Sequence, residues 1–397
     1  MKNLFKLAPS MPFLGMADSI KRAQKVFDHI DDQTSATGAM KPSVVILSNS
    51  VEPHLDASFF YLTGIPYGLF EGSYLIAKRD GSLNLLTTPL EEDIARAHSK
   101  GIEIQVIKSD DEVPDRLSAV IGSEEKLVGI NSSELTAKSL ETLKSALKDK
   151  EFVDVSPAFE LARLVKDQSE IECIQKACDI ASYAFKKIPS MLKQGVTESE
   201  VAAGIAFEMQ KSGGSGVSFD SIVAFGKNSA QPHYSAGQAK LKSGQFVLCD
   251  YGTKYKRYCS DITRTLVYGK ASKKQKQMYE VVKEAQELGT ELCTPELTGA
   301  EVNSKVTEFI DGTEFKGRFI HSTGHSLGLA VHDGPGLSRN FTKKLIPGMV
   351  ITVEPGVYLS EIGGVRIEDD VLITKRKPRI LTSAKKDLIE VTSKPRK

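Results

Sequence analysis

Gly244-Gln245-Phe246-Val247-Leu248-Cys249-Asp250-Tyr251-Gly252 and Gly348-Met349-Val350-Ile351-Thr352-Val353-Glu354-Pro355-Gly356 share one form. Each opens on a turn glycine, continues as an apolar strand, and reaches a carboxylate six residues after that glycine and two before the next. An acid closing an apolar run is unusual, because desolvating a carboxylate is expensive. It persists where the group is protonated, paired or bound to a metal ion. Each half then returns with a second strand carrying another acid: Asp261 in Ser260-Asp261-Ile262-Thr263, and Glu368 in Arg366-Ile367-Glu368-Asp369.

Two helices precede each run. Asp167-x-x-Glu170, Thr197-x-x-Glu200, Ser272-x-x-Gln275 and Thr298-x-x-Glu301 have the capping-box pattern, in which side chains satisfy the free amides of a helix start. After the first box, Ile171, Ile174, Ala177, Cys178 and Ala181 fall on one helical face. The pattern predicts a duplicated helix–helix–strand–strand unit. Pseudo-twofold packing of the two halves would bring the acid-bearing strands together at the centre.

The residues before this unit alternate strand-like and helix-like segments, which predicts a small α/β domain. Short apolar runs at 43–47, 74–77, 83–87, 102–107 and 127–130 read as strands, and 90–100 and 133–148 as helices. Arg79-Asp80-Gly81 is a hairpin-turn signal between two of the strands. The fold class is therefore mixed α/β (α+β), with an N-terminal domain over residues 1–155 and a second domain over residues 156–397.

A chain of 397 residues is long for one core, which agrees with two domains. Its 52 Lys+Arg and 51 Asp+Glu give a net charge of +1, which argues against a surface built for nucleic acid or acidic membranes. No apolar run approaches the ~18 residues of a membrane span. Residues 1–16 are broken by Pro9 and Pro12 and show no leader peptide. The five cysteines are irregularly spaced, with no C-x-x-C pair. That suits reduced thiols in a cytoplasmic protein, and neither a disulfide framework nor a thiolate zinc site.

Asp250, Asp261, Glu354 and Glu368, clustered, would repel one another strongly. Two divalent cations would neutralise them, four negative charges against four positive. His325, in Gly324-His325-Ser326-Leu327-Gly328, adds an imidazole. An oxygen-rich set with one imidazole favours Mn, Co, Fe or Zn over a thiolate site. Two such ions would lower the pKa of a shared water and give a hydroxide nucleophile at neutral pH.

On these residues the chain resembles the M24 metallopeptidases of pita-bread fold, in the branch of Xaa-Pro dipeptidases (prolidases) and Xaa-Pro aminopeptidases. The segment Asp56 through Phe60-Tyr61-Leu62-Thr63-Gly64 is similar to the creatinase-like N-terminal domain of that branch. The resemblance implies a dinuclear-metal peptidase, with Mn or Co foremost and Zn or Fe as alternatives, that cleaves the bond before proline. It implies that Asp250 chelates one metal, that His325 and Glu354 bind the other, and that Asp261 and Glu368 bridge them. Glu354 would also shuttle a proton. His233 would stabilise the reacting centre or the leaving side, and His332 the scissile carbonyl or its oxyanion. His321 would line the proline pocket, with Arg366 and Tyr358 beside the ligands or in the substrate pocket. Several prolidases carry an arginine four residues after the position of His332. Here that position is Gly336, and Arg339 is the nearest arginine for the carboxylate of a dipeptide. The departure weighs against a strict dipeptidase.

The implied substrate is a proline-containing di- or oligopeptide, and the implied assembly a homodimer. Two other functions sit on related folds. A methionine aminopeptidase would not need the N-terminal domain or the Pro232-His233-Tyr234 context. A non-catalytic binding protein would be expected to lose ligands, and all five are present. The basic run Lys375-Arg376-Lys377-Pro378-Arg379 reads as a solvated hairpin turn. Strand alternation turns Cys249 and Cys259 away from the neighbouring aspartates.

Overall fold

The computed structural model describes residues 16–38 and 40–392. The expectation that residues 1–16 hold no leader falls, apart from Met16, outside the described residues. The chain divides into two compact units, Met1–Arg163 and Leu164–Lys397.

The first unit is a six-stranded mixed sheet with helices. In chain order its elements are α1 (Met16–Thr37), β1 (Val44–Ser48), α2 (Ala57–Thr63), β2 (Tyr74–Lys78), β3 (Leu83–Thr87), α3 (Glu92–His98), β4 (Glu103–Val106), α4 (Val113–Ile121), β5 (Leu127–Ile130), α5 (Ala137–Ala146), β6 (Glu151–Asp154) and α6 (Ser156–Leu164). The strand order is β4-β3-β2-β1-β5-β6. β1 is buried along its whole length, so it reads as a continuous apolar run without alternation. The β2–β3 hairpin turns through Gly81, whose φ of 91° is a conformation that favours glycine. Val44, Ile46, Ile76, Leu86, Leu117, Val128 and Leu143 share one core. The helix at 133–148 begins later than its periodicity predicts, because Thr136 caps it by accepting from Ser139 N. α1, α2, α4 and β6 have no counterpart among the segments predicted above within residues 1–155. β6 alternates only weakly, with both ends exposed.

The second unit bears out the duplication. α7 (Gln168–Phe185), α8 (Ile188–Met191) and α9 (Glu198–Lys211) precede β7 (Ile222–Phe225), β8 (Gln245–Tyr251), the short β9 (Lys254–Tyr255) and β10 (Tyr258–Cys259), and β11 (Ile262–Tyr268). α10 (Lys273–Glu291) and α11 (Gly299–Asp311) precede β12 (Val350–Val353), β13 (Gly356–Leu359), β14 (Gly363–Arg366), β15 (Asp369–Leu372), β16 (Arg379–Ile380) and β17 (Glu390–Val391). All four capping boxes form, with both reciprocal bonds present. The halves match in detail: Thr197 bridges Lys240 in one, and Thr298 bridges Lys344 in the other. β8 pairs antiparallel with β11, and β12 with β15. The basic run forms the exposed turn between β15 and β16.

Three acids stand at strand ends and not inside strands. β11 begins just after Asp261, β12 ends just before Glu354, and Glu368 lies between β14 and β15. There the chain leaves the ladder and the halves meet. Glu368 N donates to Thr263 O at 3.1 Å. The buried Arg264 donates to Thr263 O, Glu368 O, Ala384 O and the Asp369 carboxylate.

Candidate metal centre and active-site cavity

The strand ends converge on a cavity of about 700 Å³. Asp250, Asp261, His325, Glu354 and Glu368 all line it, together with His233, His321, His332 and Arg366. Asp250 comes from β8, where it stands opposite Ile222 of β7 and Thr263 of β11. His325 follows Gly324 on a segment that lies against β12, with His325 N donating to Thr352 Oγ1 at 3.0 Å and Thr352 N donating to His325 O at 2.8 Å.

The oxygens and the imidazole are close. Asp261, His325 and Glu368 offer ligand atoms within 4.8 Å of one another. His325 Nε2 is 3.6 Å from Asp261 Oδ2 and 3.6 Å from Glu354 Oε1. His325 Nδ1 faces Ser326 O at 3.2 Å, a partner that only accepts, so Nδ1 carries the hydrogen and the Nε2 lone pair points at the carboxylates. Burial, then His332, lowers the His325 pKa to about 4. A neutral imidazole lone pair and two carboxylate oxygens facing one another form a set of acceptors suited to a divalent cation.

The carboxylates agree with this. Burial, then Glu368 and Asp250, pushes Asp261 well above the usual carboxylate range. Burial and Glu354 do the same to Glu368. Glu354 is raised to about 8 by burial, against the pull of Arg366. Among the described residues, Asp250 Oδ1 and Asp261 Oδ1 are buried without a hydrogen-bond partner, whereas buried polar atoms are ordinarily satisfied. Two orphaned carboxylate oxygens in a cluster of like charge fit divalent cations.

Two threonines hold the glutamates. Thr263 Oγ1 donates to Glu368 Oε2 at 2.6 Å, and Thr352 Oγ1 donates to Glu354 Oε1 at 3.2 Å. Strand sequence conceals both, because threonine there reads as ordinary β-propensity. Asp370 Oδ2 accepts from Asp261 N and from the Cys178 thiol. Cys249 and Cys259 are buried in apolar clusters, and burial raises both thiols, Cys259 to about 12.

The residues expected on the substrate side separate into two groups. His233 and His332 are exposed on the cavity wall, and the His332 ring meets His325 edge to face at 4.3 Å. His321 has both nitrogens engaged, Nδ1 with Ser322 O at 2.9 Å and Nε2 with Tyr358 OH at 2.8 Å. It therefore offers the cavity its ring. Tyr358 and Arg339 do not line the cavity. Tyr358 is buried behind His321 and accepts from Arg366 Nη1; Arg339 is exposed elsewhere. Gly336 presses on the segment it lines: a Cβ there would meet His325 Cα at 2.4 Å. No side chain, arginine included, fits that position on this backbone.

Strand ends from two equivalent halves that converge on four carboxylates and an imidazole define a pita-bread hydrolase scaffold with a candidate metal centre. Residues 172–375 match metallopeptidase family M24, and residues 41–165 match the creatinase/prolidase N-terminal domain. The chain belongs to metallopeptidase family M24. It is 37% identical to the Xaa-Pro dipeptidase of Pyrococcus horikoshii over 86% of this chain and 95% of that one. Its fold is similar to that of a Xaa-Pro dipeptidase from Bacillus anthracis, with TM-score 0.84 at 34% identity over 94% and 99% of the two chains. It is also similar to an X-Pro aminopeptidase from Thermotoga maritima, with TM-score 0.82 at 30% identity over 91% and 100%. Among the described residues no helix is long and apolar enough to cross a membrane.

Proposed function

We propose that the cavity hydrolyses the peptide bond before proline in Xaa-Pro dipeptides or at the start of Xaa-Pro oligopeptides. The observation that carries this is the acceptor set itself: His325 Nε2 lies 3.6 Å from both Asp261 and Glu354, inside a cavity walled by three further histidines. Relatives named for both Xaa-Pro activities support the specificity.

Asp250, Asp261, His325, Glu354 and Glu368 would hold two divalent ions, manganese or cobalt foremost. Bound there, the ions supply Lewis acidity and a water nucleophile at neutral pH. The chain supplies the rest. Glu354 is oriented by the Thr352 hydroxyl and moves the proton between nucleophile and leaving nitrogen. His332 donates to the developing oxyanion, where a fixed donor is most effective. His233 meets the leaving side. The His321 ring packs on the pyrrolidine, held in place by Tyr358 and, through Tyr358, by Arg366. Tyr358 supports His321, and Arg366, on the cavity lining, supports Tyr358 and Asp250. Arg339 takes no part in this reading.

The proposal extends to a homodimer in the cytoplasm, with residues 1–155 as the creatinase/prolidase-like domain and 156–397 as the catalytic one; family resemblance supports both. Matched Xaa-Pro and Xaa-Pro-Xaa substrates, assayed after manganese or cobalt loading, test the function. Release of proline or of the first residue is expected. Cleavage of Met-Ala-Ser without cleavage of either would overturn it.

A further inference from the structure

Glu198 lies in the first turn of α9 and is fully buried. Its two oxygens accept four hydrogen bonds. Oε1 accepts from Phe225 N at 2.8 Å and Asn228 Nδ2 at 3.0 Å; Oε2 accepts from Tyr234 OH at 2.8 Å and Gly237 N at 3.2 Å. Asn228 Nδ2 also donates to Tyr234 OH at 2.8 Å. The next residue, Ser199, donates its hydroxyl to Gly237 O at 2.9 Å and Ala236 O at 3.2 Å. The first turn of α9 thus grips the segment through 237 by both its donors and its acceptors.

His233 sits inside that segment, beside Tyr234, and lines the cavity. Among the described residues no hydrogen bond holds its imidazole, so its place is set by the backbone on either side. That chain is tied at 225 and 237 through backbone amides and at 228 and 234 through side chains, all to one carboxylate. A single buried acceptor tying these stretches of chain makes their positions interdependent.

We propose that Glu198 is a positioning residue for His233, setting the imidazole against the reacting centre from outside the cavity. This rests on the peptidase reading for its catalytic consequence, but not for its geometry. A glutamine at 198 keeps the shape and turns one acceptor into a donor facing donors. A purely structural role would damage the site without regard to His233; a positioning role acts through it.

The test is a double-mutant cycle on the full-length protein, with Glu198→Gln, His233→Ala and the pair, read by kcat and KM on a Xaa-Pro dipeptide after metal loading and by histidine-ring NMR on the zinc-loaded, diamagnetic form. Glu198→Gln is expected to lower kcat/KM about tenfold to a hundredfold, the scale of a misplaced reacting group. The pair should be no worse than His233→Ala alone, and the His233 ring signal should move in Glu198→Gln while that of His98 does not. Losses that multiply in the pair, or an unmoved His233 signal, would overturn the proposal. If the unaltered protein cleaves no Xaa-Pro peptide while the His233 signal still moves, the peptidase reading fails and the positioning stands. Should Glu198→Gln not fold, Asn228→Ala removes one tie outside the cavity lining. It is expected to move the same signal less, and an unmoved signal there overturns the proposal equally.

Discussion

Arg366 Nη2 donates to Asp250 Oδ2 at 2.5 Å, with both side chains nearly sealed from solvent. The same guanidinium donates through Nε to Thr263 Oγ1 at 3.1 Å and through Nη1 to Tyr358 OH at 2.9 Å. One planar group therefore fixes an acid, the threonine that holds Glu368, and the tyrosine that holds His321. A lysine cannot reproduce a three-way fork. Arg366→Lys is expected to lower kcat/KM about 10–100-fold, the usual cost of losing an outer support of a metal site. Arg366→Ala should also destabilise the fold by about 3–5 kcal/mol, because it strands a buried carboxylate. Steady-state kinetics and urea unfolding of the two variants check this.

The threonine hydroxyls offer a second test of ligand orientation. Valine at 263 or 352 keeps the shape and removes the bond to Glu368 or Glu354, together with the acceptor for Arg366 Nε or His325 N. Each substitution is expected to weaken metal binding about 10–100-fold, read by competition with a chromophoric chelator. Unchanged affinity in both would mean that the hydroxyls do not set the carboxylates.

Gly336 gives a steric prediction. With His325 Cα 2.4 Å from a Cβ at this position, Gly336→Ala forces the His325 segment to shift. The expected cost is about 1–3 kcal/mol of stability, with weaker metal binding. Gly336→Arg should be worse in both, and should not improve dipeptide turnover. Faster dipeptide hydrolysis by the arginine variant would contradict the packing.

In the N-terminal unit, burial raises Asp56 to about 6 despite its bonds from Ser58 N and Asn131. A carboxyl whose folded pKa exceeds its unfolded one favours the folded state at low pH, and that contribution disappears as pH rises through the folded value. From pH 4 to about 6.5 the loss is about 2 kcal/mol. Asp56→Asn removes the titration. The stability difference between the unaltered protein and this variant should therefore slope downward over that window and flatten above it, in urea melts at stepped pH. A flat difference would place Asp56 in the ordinary range.

The duplication, Asp250 and Glu354 are legible because an acid closing an apolar run conflicts with burial, and the conflict recurs at a fixed spacing; Asp261 and Glu368 follow on the returning segments, and His325 lies between the acids. The four capping boxes were legible because their pattern is local. Residues that act through space left no such mark. Glu198 sits two positions before the capping Glu200 and reads as one more acid in a helix's first turn. Thr263 and Thr352 look like any strand threonine. Arg339 follows the cavity-lining Ser338 but does not itself line the cavity. Tyr358 stands behind His321, a layer that spacing alone does not resolve. β6 and α1 were missed where polar ends or surface charge blur the period.

The decisive measurement is a metal titration of the chelated, full-length protein with Xaa-Pro cleavage as the readout. Proline or first-residue release should be absent without metal, rise with added manganese or cobalt, and saturate near two ions per chain. Glu354→Gln should remain inactive at the same saturation. Cleavage by the metal-free protein, or none at full loading of the unaltered chain, would contradict the metallopeptidase assignment of this cavity.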